Sequence, residues 1–300
     1  MIEPLLPTRW SPVALLAPVL ALALGCASSS ASNGAPAASA SSSAGKAAAS
    51  GSSAAAATPT TMAAIPVEKV RETLNPKGQP AYSGPTGTLK GVIKVKGDDP
   101  PTRSFHFAEG CGEAQATYGK LFRVGQDKTL ADVLVAVTGF GAFVPPTKDS
   151  VAVTIRGCAY STRTIGLTYG QFISVQNQDP PRSYLPYLEG TRGKQAGLVA
   201  MAWGDPVKMY LTEPRIYQLT DEMARPWMVA NVFVMRYSTF AVTGLDGRYE
   251  IPGIPVGKVQ VNALLPEAKM KAVNQPFEIK AGDNSLDVTI EFDAKKDTPE

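Results

Sequence analysis

Residues 240–265, FAVTGLDGRYEIPGIPVGKVQVNALL, restrict the fold more than any other part of the chain. Asp246-Gly247 can supply the positive φ angles of a tight hairpin turn. Apolar residues alternate with smaller or polar ones on both sides of that turn: Phe240, Val242, Tyr249 and Ile251. Proline and glycine break the chain again at 252–257, and a further alternating run follows from Val259 to Ala263. This stretch predicts a β-meander of three short strands.

Similar short runs recur through most of the remaining chain, and no long helical pattern accompanies them. They are centred on residues 89–95, 133–137, 151–155, 165–167, 172–175, 207–211, 216–219, 229–235, 277–279 and 288–292. One short helix is expected in VEKVRETL, residues 67–74, and Asn75-Pro76 would end it. About a dozen short strands without a substantial helix predict an all-β chain of one or two β-sandwiches.

The first 64 residues have a composition unlike the rest. Arg9 precedes an apolar run from Val13 to Leu24 that is too short to span a bilayer and ends in small residues. Residues 1–25 are therefore predicted to be a secretory signal peptide. Residues 26–64 are almost entirely Ala, Ser, Gly, Pro and Thr, which cannot offset the entropy of ordering, so they predict a disordered tether. Residues 65–85 would form an extended lead-in with the short helix.

The end of the apolar run, Ala23-Leu24-Gly25-Cys26, resembles the lipobox of bacterial lipoproteins. The commonest lipobox has Leu three residues before the cysteine, where this chain has Ala23. The resemblance implies that Cys26 is acylated, by palmitate or similar chains, and becomes the mature N-terminus of a lipid-anchored cell-envelope protein. Ala27 rather than Asp after the cysteine favours the outer membrane over the inner. An ordinary signal peptide with a chance cysteine is the alternative.

The motif DGRY-x-I-x-GIP-x-G at residues 246–257 resembles the signature of carboxypeptidase regulatory-like domains, which are small transthyretin-like β-sandwiches. GTLKGVIKVKG, residues 87–97, resembles the first strand of the same domain. The resemblance implies a discontinuous, non-catalytic β-sandwich formed by residues 86–149 and 237–295. Residues 150–236 would then be an inserted second β-unit, which gives an all-β fold of two β-sandwich units.

The inserted unit contains VQNQDP at residues 175–180, followed by Pro226-Trp227-Met228, and so resembles bacterial cupredoxin-like modules. That family would place two histidines and a cysteine around copper, at the positions held here by Ser183, Arg225 and Glu222. Only Met228 stands near the place of a weak axial ligand. Because blue copper needs a thiolate and two imidazoles, and His106 is the one histidine of the chain, we expect no copper site. Glu222 and Arg225 could form an ion pair instead, or an ordinary exposed pair.

Two cysteines remain once Cys26 is assigned to lipid. An even number of cysteines in an oxidising compartment favours a disulfide between Cys111 and Cys158. Two buried free thiols are the alternative.

Several classes of function are disfavoured by the sequence. The formal net charge is only +3, and no basic block is interleaved with aromatics, so we expect no nucleic-acid partner. No serine lies in a GxSxG context and the glycine clusters fit no phosphate or dinucleotide loop, so we expect neither an enzyme nor a cofactor.

A loop rich in aromatic residues and arginine, residues 180–203, contains the candidate binding residues Arg182, Tyr184, Tyr187, Arg192 and Trp203. These aromatics could equally cap the core of the sandwich. The sequence thus favours a non-catalytic, lipid-anchored envelope protein that acts as a structural or binding module for an envelope protein or a glycan. A periplasmic cupredoxin-type metal-binding or electron-transfer protein is the alternative.

Overall fold

The computed structural model describes residues 63–190, 198–223 and 225–299. The predicted signal peptide, Cys26, nearly all of the tether and Arg192 lie outside these residues. Within them, strands predominate and pack as layered sheets, so the predicted all-β sandwich fold is confirmed. None of the helices in these ranges is long and apolar enough to cross a membrane.

Three short helices and sixteen strands form in the described part of the chain. The helices are α1 Val67–Leu74, α2 Gly112–Tyr118 and α3 Ala294–Asp297, with a 3-10 turn at Gln126–Lys128. The strands are β1 Thr86–Gly97, β2 Leu134–Thr138, β3 Ser150–Arg156, β4 Ala159–Tyr160, β5 Thr164–Thr168, β6 Phe172–Asn177, β7 Pro186–Glu189, β8 Val207–Tyr210, β9 Ile216–Asp221, β10 Ala230–Met235, β11 Phe240–Val242, β12 Arg248–Pro255, β13 Gly257–Leu265, β14 Lys271–Ile279, β15 Gly282–Ser285 and β16 Val288–Phe292.

One pair of sheets is built from β1, β2 and β11–β16. In the first sheet β1 pairs with β12 on one side and, in parallel, with β15 and then β16 on the other. The second sheet has the order β11-β2-β13-β14. Gly91 lies in β1, opposite Leu286 in the connection between β15 and β16. A Cβ atom on Gly91 would stand 1.9 Å from the carbonyl oxygen of Leu286. The parallel edge of β1 therefore requires glycine at this position.

The predicted β-meander at residues 240–265 is wrong in its pairing. The turn at Asp246-Gly247 forms, with Gly247 at φ 68°, but it does not close a hairpin. β11 pairs with β2, and β12 pairs with β1 in the opposite sheet. The apolar faces of successive strands can then meet in one core between the sheets, which pairing within a single sheet would not allow.

A second pair of sheets is built from β3–β10. One sheet has the order β4-β3-β6-β8 and the other the order β5-β10-β9-β7. Parallel pairing of β3 with β6 and of β5 with β10 places non-consecutive strands side by side. Their inward residues form a core of their own, which includes Val153, Val175 and Val232.

The segment that holds Cys111 packs against the second core, although the sequence assigns it to the first sandwich. Ala114 and Tyr118 of α2 are completely buried there, and Phe105 and Phe107 pack against the same cluster. Local sequence does not reveal this, because α2 is short and its burial depends on residues of β3–β10. This segment therefore packs with the second pair of sheets, although it lies before the predicted boundary at residue 149.

Candidate functional site

The disulfide between Cys111 and Cys158 is present, which confirms the prediction from the cysteine count. It joins the start of α2 to the turn between β3 and β4. Both groups of the Cys158 peptide are engaged: its N–H donates to Asp179 Oδ2 at 3.0 Å, and its carbonyl accepts from Trp227 Nε1 at 3.1 Å. The disulfide is thus connected directly to the residues that follow β6.

Asp179, just after β6, is the centre of a mostly buried polar cluster. Its carboxylate accepts a short hydrogen bond from the Tyr184 hydroxyl and one from Arg182 Nη1 at 3.3 Å. Partial burial disfavours the charged form, but the hydrogen bonds from Tyr184, the Cys158 amide and Arg182 outweigh it and hold the pKa of Asp179 below its ordinary value. Burial, and then the bond to this carboxylate, raise the pKa of Tyr184.

Arg225 closes the same end of the sandwich. Its Nη1 lies 2.5 Å from Asp221 Oδ2, and its guanidinium lies 4.2 Å from the centre of the Tyr184 ring. The Asp221 side chain is completely buried, and its Oδ1 accepts the Leu185 amide at 2.7 Å. Glu222 and Arg225, for which the sequence left open an ion pair at the metal position or an ordinary exposed pair, form no ion pair among the described contacts: Glu222 is exposed, and Arg225 pairs with the buried Asp221.

The residues at the positions where cupredoxin-like modules hold copper do not fit that metal. Arg225 places a cation, held by Asp221, where the second imidazole is expected, and Glu222 is exposed rather than converging on a site. Ser183 Oγ lies 3.6 Å from Met201 Sδ, and Met228 is completely buried. Among the described residues, no group of three or more His, Cys, Asp or Glu side chains could hold a metal ion. Soft copper sites need thiolate and imidazole donors, which this set does not contain.

Trp203 lies beside this closed end and is the most exposed aromatic side chain of the candidate set, at 67%. Its backbone has a φ of 58°, which L-residues with large side chains rarely adopt. The Trp203 amide donates to the carbonyl of Asn177 at 3.0 Å, and Gln176 Nε2 donates to the carbonyl of Gly204 at 2.8 Å. The buried amide of Asn177 donates in turn to the carbonyls of Arg182 and Ala200. These bonds fix the backbone beneath the exposed ring.

The structure brings together only some of the predicted binding residues. Tyr184 is completely buried and Tyr187 is half-buried on β7, so Tyr184 caps the core, as the alternative interpretation proposed. Arg182 remains partly exposed and also donates to the carbonyl of Glu109 at 3.2 Å. Met201 is 57% exposed and was not among the predicted binding residues. The signal that could have identified it is its position in the same loop, two residues before Trp203, where the two form an apolar pair. We call Arg182, Ser183, Met201 and Trp203 the Trp203 surface.

A second polar cluster, which the sequence did not predict, lies where the two pairs of sheets meet. Asp132 is buried and accepts from Arg123 Nε at 2.7 Å and from the Arg163 amide at 2.8 Å. The Arg163 side chain, 1% exposed, forms a short ion pair with Glu267, which also accepts from Asn231 Nδ2 at 2.9 Å. Burial raises the pKa of Glu267, against the effect of the neighbouring arginines. The cluster joins the β13–β14 turn to the start of β5.

Together these features define an all-β protein of two pairs of sheets, with a buried polar cluster and an exposed tryptophan at one end of the second pair. No protein-family model matches the chain, and no curated protein matches its sequence. Solved structures give partial likenesses.

The reduced state of a mutant amicyanin is 18% identical, with a TM-score of 0.26 over 29% of this chain and 82% of that one. A copper-containing nitrite reductase from Thermus scotoductus SA-01 is 15% identical, with a TM-score of 0.25 over 33% of this chain and 25% of that one. A chain of a heme-copper terminal oxidase dimer is 10% identical, with a TM-score of 0.24 over 33% of this chain and 78% of that one. Each likeness is confined to about a third of the chain or less and concerns fold alone.

Proposed function

We propose that this chain is a non-catalytic binding module of the bacterial cell envelope, anchored by lipid on Cys26, which recognises a protein partner through the Trp203 surface. The observation that carries the proposal is the exposed indole of Trp203 on a backbone held at positive φ by Asn177. Uncommon backbone conformations persist where the surroundings enforce them, and they concentrate at functional sites.

The surface has the composition of a protein-binding site. Tryptophan and arginine are enriched among the residues that dominate binding energy, and methionine is enriched at interfaces in general. Because the backbone beneath Trp203 is already fixed by hydrogen bonds, ordering it on binding costs little entropy. Met201 is 57% exposed on the same surface, and its thioether lies 3.6 Å from Ser183 Oγ. An exposed thioether favours an apolar protein contact over a glycan, whose hydroxyl groups require several polar partners.

Photo-crosslinking tests the proposed surface in intact cells. A photoreactive amino acid replaces Trp203 in one variant and Ile216, which is 49% exposed on β9, in a control. We expect a discrete crosslinked protein with the probe at 203 and not at 216, and its loss when the unmodified wild-type chain is expressed in excess. Equal crosslinking at both positions, or crosslinking only to glycan, would contradict a protein partner at this surface.

Anchoring is tested separately. Metabolic labelling with an alkyne fatty acid should label the wild-type chain and not Cys26→Ser, and the variant should leave the membrane fraction. Equal labelling and membrane retention of Cys26→Ser would remove the lipoprotein assignment, without affecting the Trp203 surface.

Electron transfer by a cupredoxin-type copper centre is the second candidate, and its support is the resemblance at residues 175–180 and 226–228. The side chains at the ligand positions oppose it, because Arg225 holds a positive charge beside Tyr184. We expect calorimetric titration with Cu(I) and Cu(II) to find no stoichiometric site. A site of submicromolar affinity that is lost in Met228→Leu would restore the electron-transfer interpretation.

A further inference from the structure

A cavity of about 290 Å³ lies at the connections between the two pairs of sheets, away from the Trp203 surface. Three segments line it: the end of α1 with the turn that follows, residues 74–79; the end of β2 with the loop that follows, residues 137–144; and the connection from β10 to β11, residues 236–239. None of these residues belongs to the Trp203 surface or to the Asp179 cluster. The cavity is therefore a separate feature of the molecule.

The walls of the cavity are largely apolar and aromatic. Phe140, Phe143 and Tyr237 are half-buried and border it together with Val137 and Leu74. Half-buried aromatic rings around a concave space are typical of small-molecule sites, which range upward from about 300 Å³. The cavity is thus of a size to hold a small organic molecule.

Hydrogen bonds hold each wall in place. The Asn75 side chain bonds both backbone groups of Gln79, at 2.7 Å and 2.9 Å. Ser238 Oγ donates to the carbonyl of Val144 at 2.8 Å, and the Tyr82 amide donates to the carbonyl of Phe143 at 2.8 Å. A site whose walls are already fixed loses little entropy when a ligand binds.

The charge of the lining is entirely positive. Lys77 and Arg236 are its ionisable cations, both are exposed, and no aspartate or glutamate lines the cavity. Among the residues that the structure describes, neither cation forms an ion pair. The backbone amides from Gly139 to Ala142 also make no hydrogen bond to the described chain. Unpaired cations and free amides beside an apolar wall favour an anionic group on an apolar body.

We propose that this cavity binds a small organic anion with an aromatic or aliphatic body. The apolar part would lie between Phe140, Phe143 and Tyr237, and the anionic group would face Lys77, Arg236 and the amides of the 139–142 loop. This site is independent of the proposed partner surface, because the two share no residue.

A matched pair of fluorescent probes tests the proposal on the purified chain. 8-Anilinonaphthalene-1-sulfonate carries an anionic sulfonate on an aromatic body, and N-phenyl-1-naphthylamine has nearly the same body without the charge. We expect the wild-type chain to bind the sulfonate at least about tenfold more tightly than the neutral probe. Equal affinity for the two probes would overturn the anion assignment.

Variants locate the binding. Lys77→Glu with Arg236→Glu should weaken sulfonate binding about tenfold or more and leave the neutral probe unchanged. Lys94→Glu with Lys280→Glu, two exposed lysines away from the cavity, makes the same change in net charge and should have little effect. An equal loss in both double variants would mean that net charge, not this cavity, attracts the probe, and would contradict the proposal.

A filling variant makes the test independent of charge. Gly141 lines the cavity, and an added Cβ there meets no atom within 4 Å, so Gly141→Leu can be accommodated without a clash at that atom. We expect Gly141→Leu to reduce binding of both probes, with an unchanged circular dichroism spectrum. Unchanged binding of both probes in this variant would show that they bind outside this cavity and would contradict the proposal.

Discussion

Arg225 is the residue that best distinguishes this chain from a copper protein of similar sequence pattern. Its guanidinium lies between the buried Asp221 carboxylate and the Tyr184 ring, so its charge is satisfied within the protein. Removing one partner of a mostly buried pair leaves the other charge without compensation. The Arg225 side chain therefore has a structural role in this chain.

We predict that Arg225→Met lowers the free energy of unfolding by about 3–5 kcal/mol, because the completely buried Asp221 loses its counterion. Asp221→Asn added to Arg225→Met should recover part of the loss, since a neutral amide can still accept the Leu185 N–H. Urea denaturation measures both. A double variant no more stable than Arg225→Met would show that the lost pairing of Asp221 is not the cause.

The hydrogen bond from Tyr184 to Asp179 predicts a pH-dependent stability. Asp179 has a lowered pKa, so its contribution to stability is present above the ordinary value of 3.8 and is lost as the pH falls through the lower folded value. Tyr184→Phe should therefore cost about 1–3 kcal/mol at pH 7, and the difference from wild type should shrink below about pH 4.

Tyr187→Phe is the matched control, because Tyr187 is half-buried on β7 and its hydroxyl makes no hydrogen bond to the described chain. Its stability should follow that of wild type across the pH range. If the loss of unfolding free energy in Tyr184→Phe stays constant from pH 7 to pH 3, the stabilising effect of the Tyr184 hydroxyl does not depend on the charge of Asp179, and the prediction is wrong.

At the scale of elements, the strands could be predicted but their partners could not. Alternation in residues 172–175 correctly predicts β6, in which every second residue is buried. The apolar run at 229–235 correctly predicts β10, which is buried on both faces. The same alternation at 240–265 correctly predicts three strands, but it does not predict which sheet each strand joins. An Asp-Gly turn is compatible both with a hairpin within one sheet and with a connection between two sheets. β15 was not among the predicted strands, because Gly282–Ser285 has no apolar alternation and is held by pairing with β1.

The candidate site shows the same division. Residue types at 180–203 predicted an aromatic and arginine-rich segment, but they could not predict that Tyr184 lies inside and Trp203 outside. Asp179 accepts from the Tyr184 hydroxyl and the Asn177 carbonyl accepts from the Trp203 amide, and both bonds join residues several positions or more apart in the chain. The disulfide was predictable because counting cysteines requires no geometry.

The disulfide also yields a prediction about the element that it holds. Cys111→Ala with Cys158→Ala should lower stability by about 2–4 kcal/mol, because the bond closes a loop across a sequence separation of 47. Trp227 donates to the Cys158 carbonyl, so its fluorescence should report the change in the turn. Urea denaturation with fluorescence detection measures both effects. Identical stability and emission with and without the disulfide would contradict the prediction.

At the scale of the described part of the chain, the cluster around Arg163, Asp132 and Glu267 links the two pairs of sheets. Asp132 follows the 3-10 turn and precedes β2, Arg163 precedes β5, and Glu267 follows β13, so the cluster contacts both pairs of sheets. Arg163 also donates to the carbonyls of Thr117 and Lys120, which adds the end of α2. Buried charges joined in this way stabilise one arrangement of the two pairs, because any other leaves them unpaired.

The last prediction concerns cooperativity. Glu267→Ala leaves Arg163, 1% exposed, without its main counterion, so we expect a loss of about 3–5 kcal/mol and weaker coupling between the two pairs of sheets. Trp203 and Trp227 both belong to the β3–β10 half, and Trp10 lies in the predicted signal peptide. In the chain without that peptide, tryptophan fluorescence follows the β3–β10 half, whereas far-ultraviolet circular dichroism follows both. The two signals should share one urea transition in wild type and separate in Glu267→Ala.

Glu291→Ala is the control, because Glu291 forms an exposed pair with Lys96 at 3.5 Å and should change neither the midpoint nor the coincidence of the signals. Arg163→Met added to Glu267→Ala should restore part of the stability, since it removes the stranded charge. If Glu267→Ala unfolds with coincident signals at the wild-type midpoint, the cluster does not couple the two pairs, and the shared packing of α2 would have to do so.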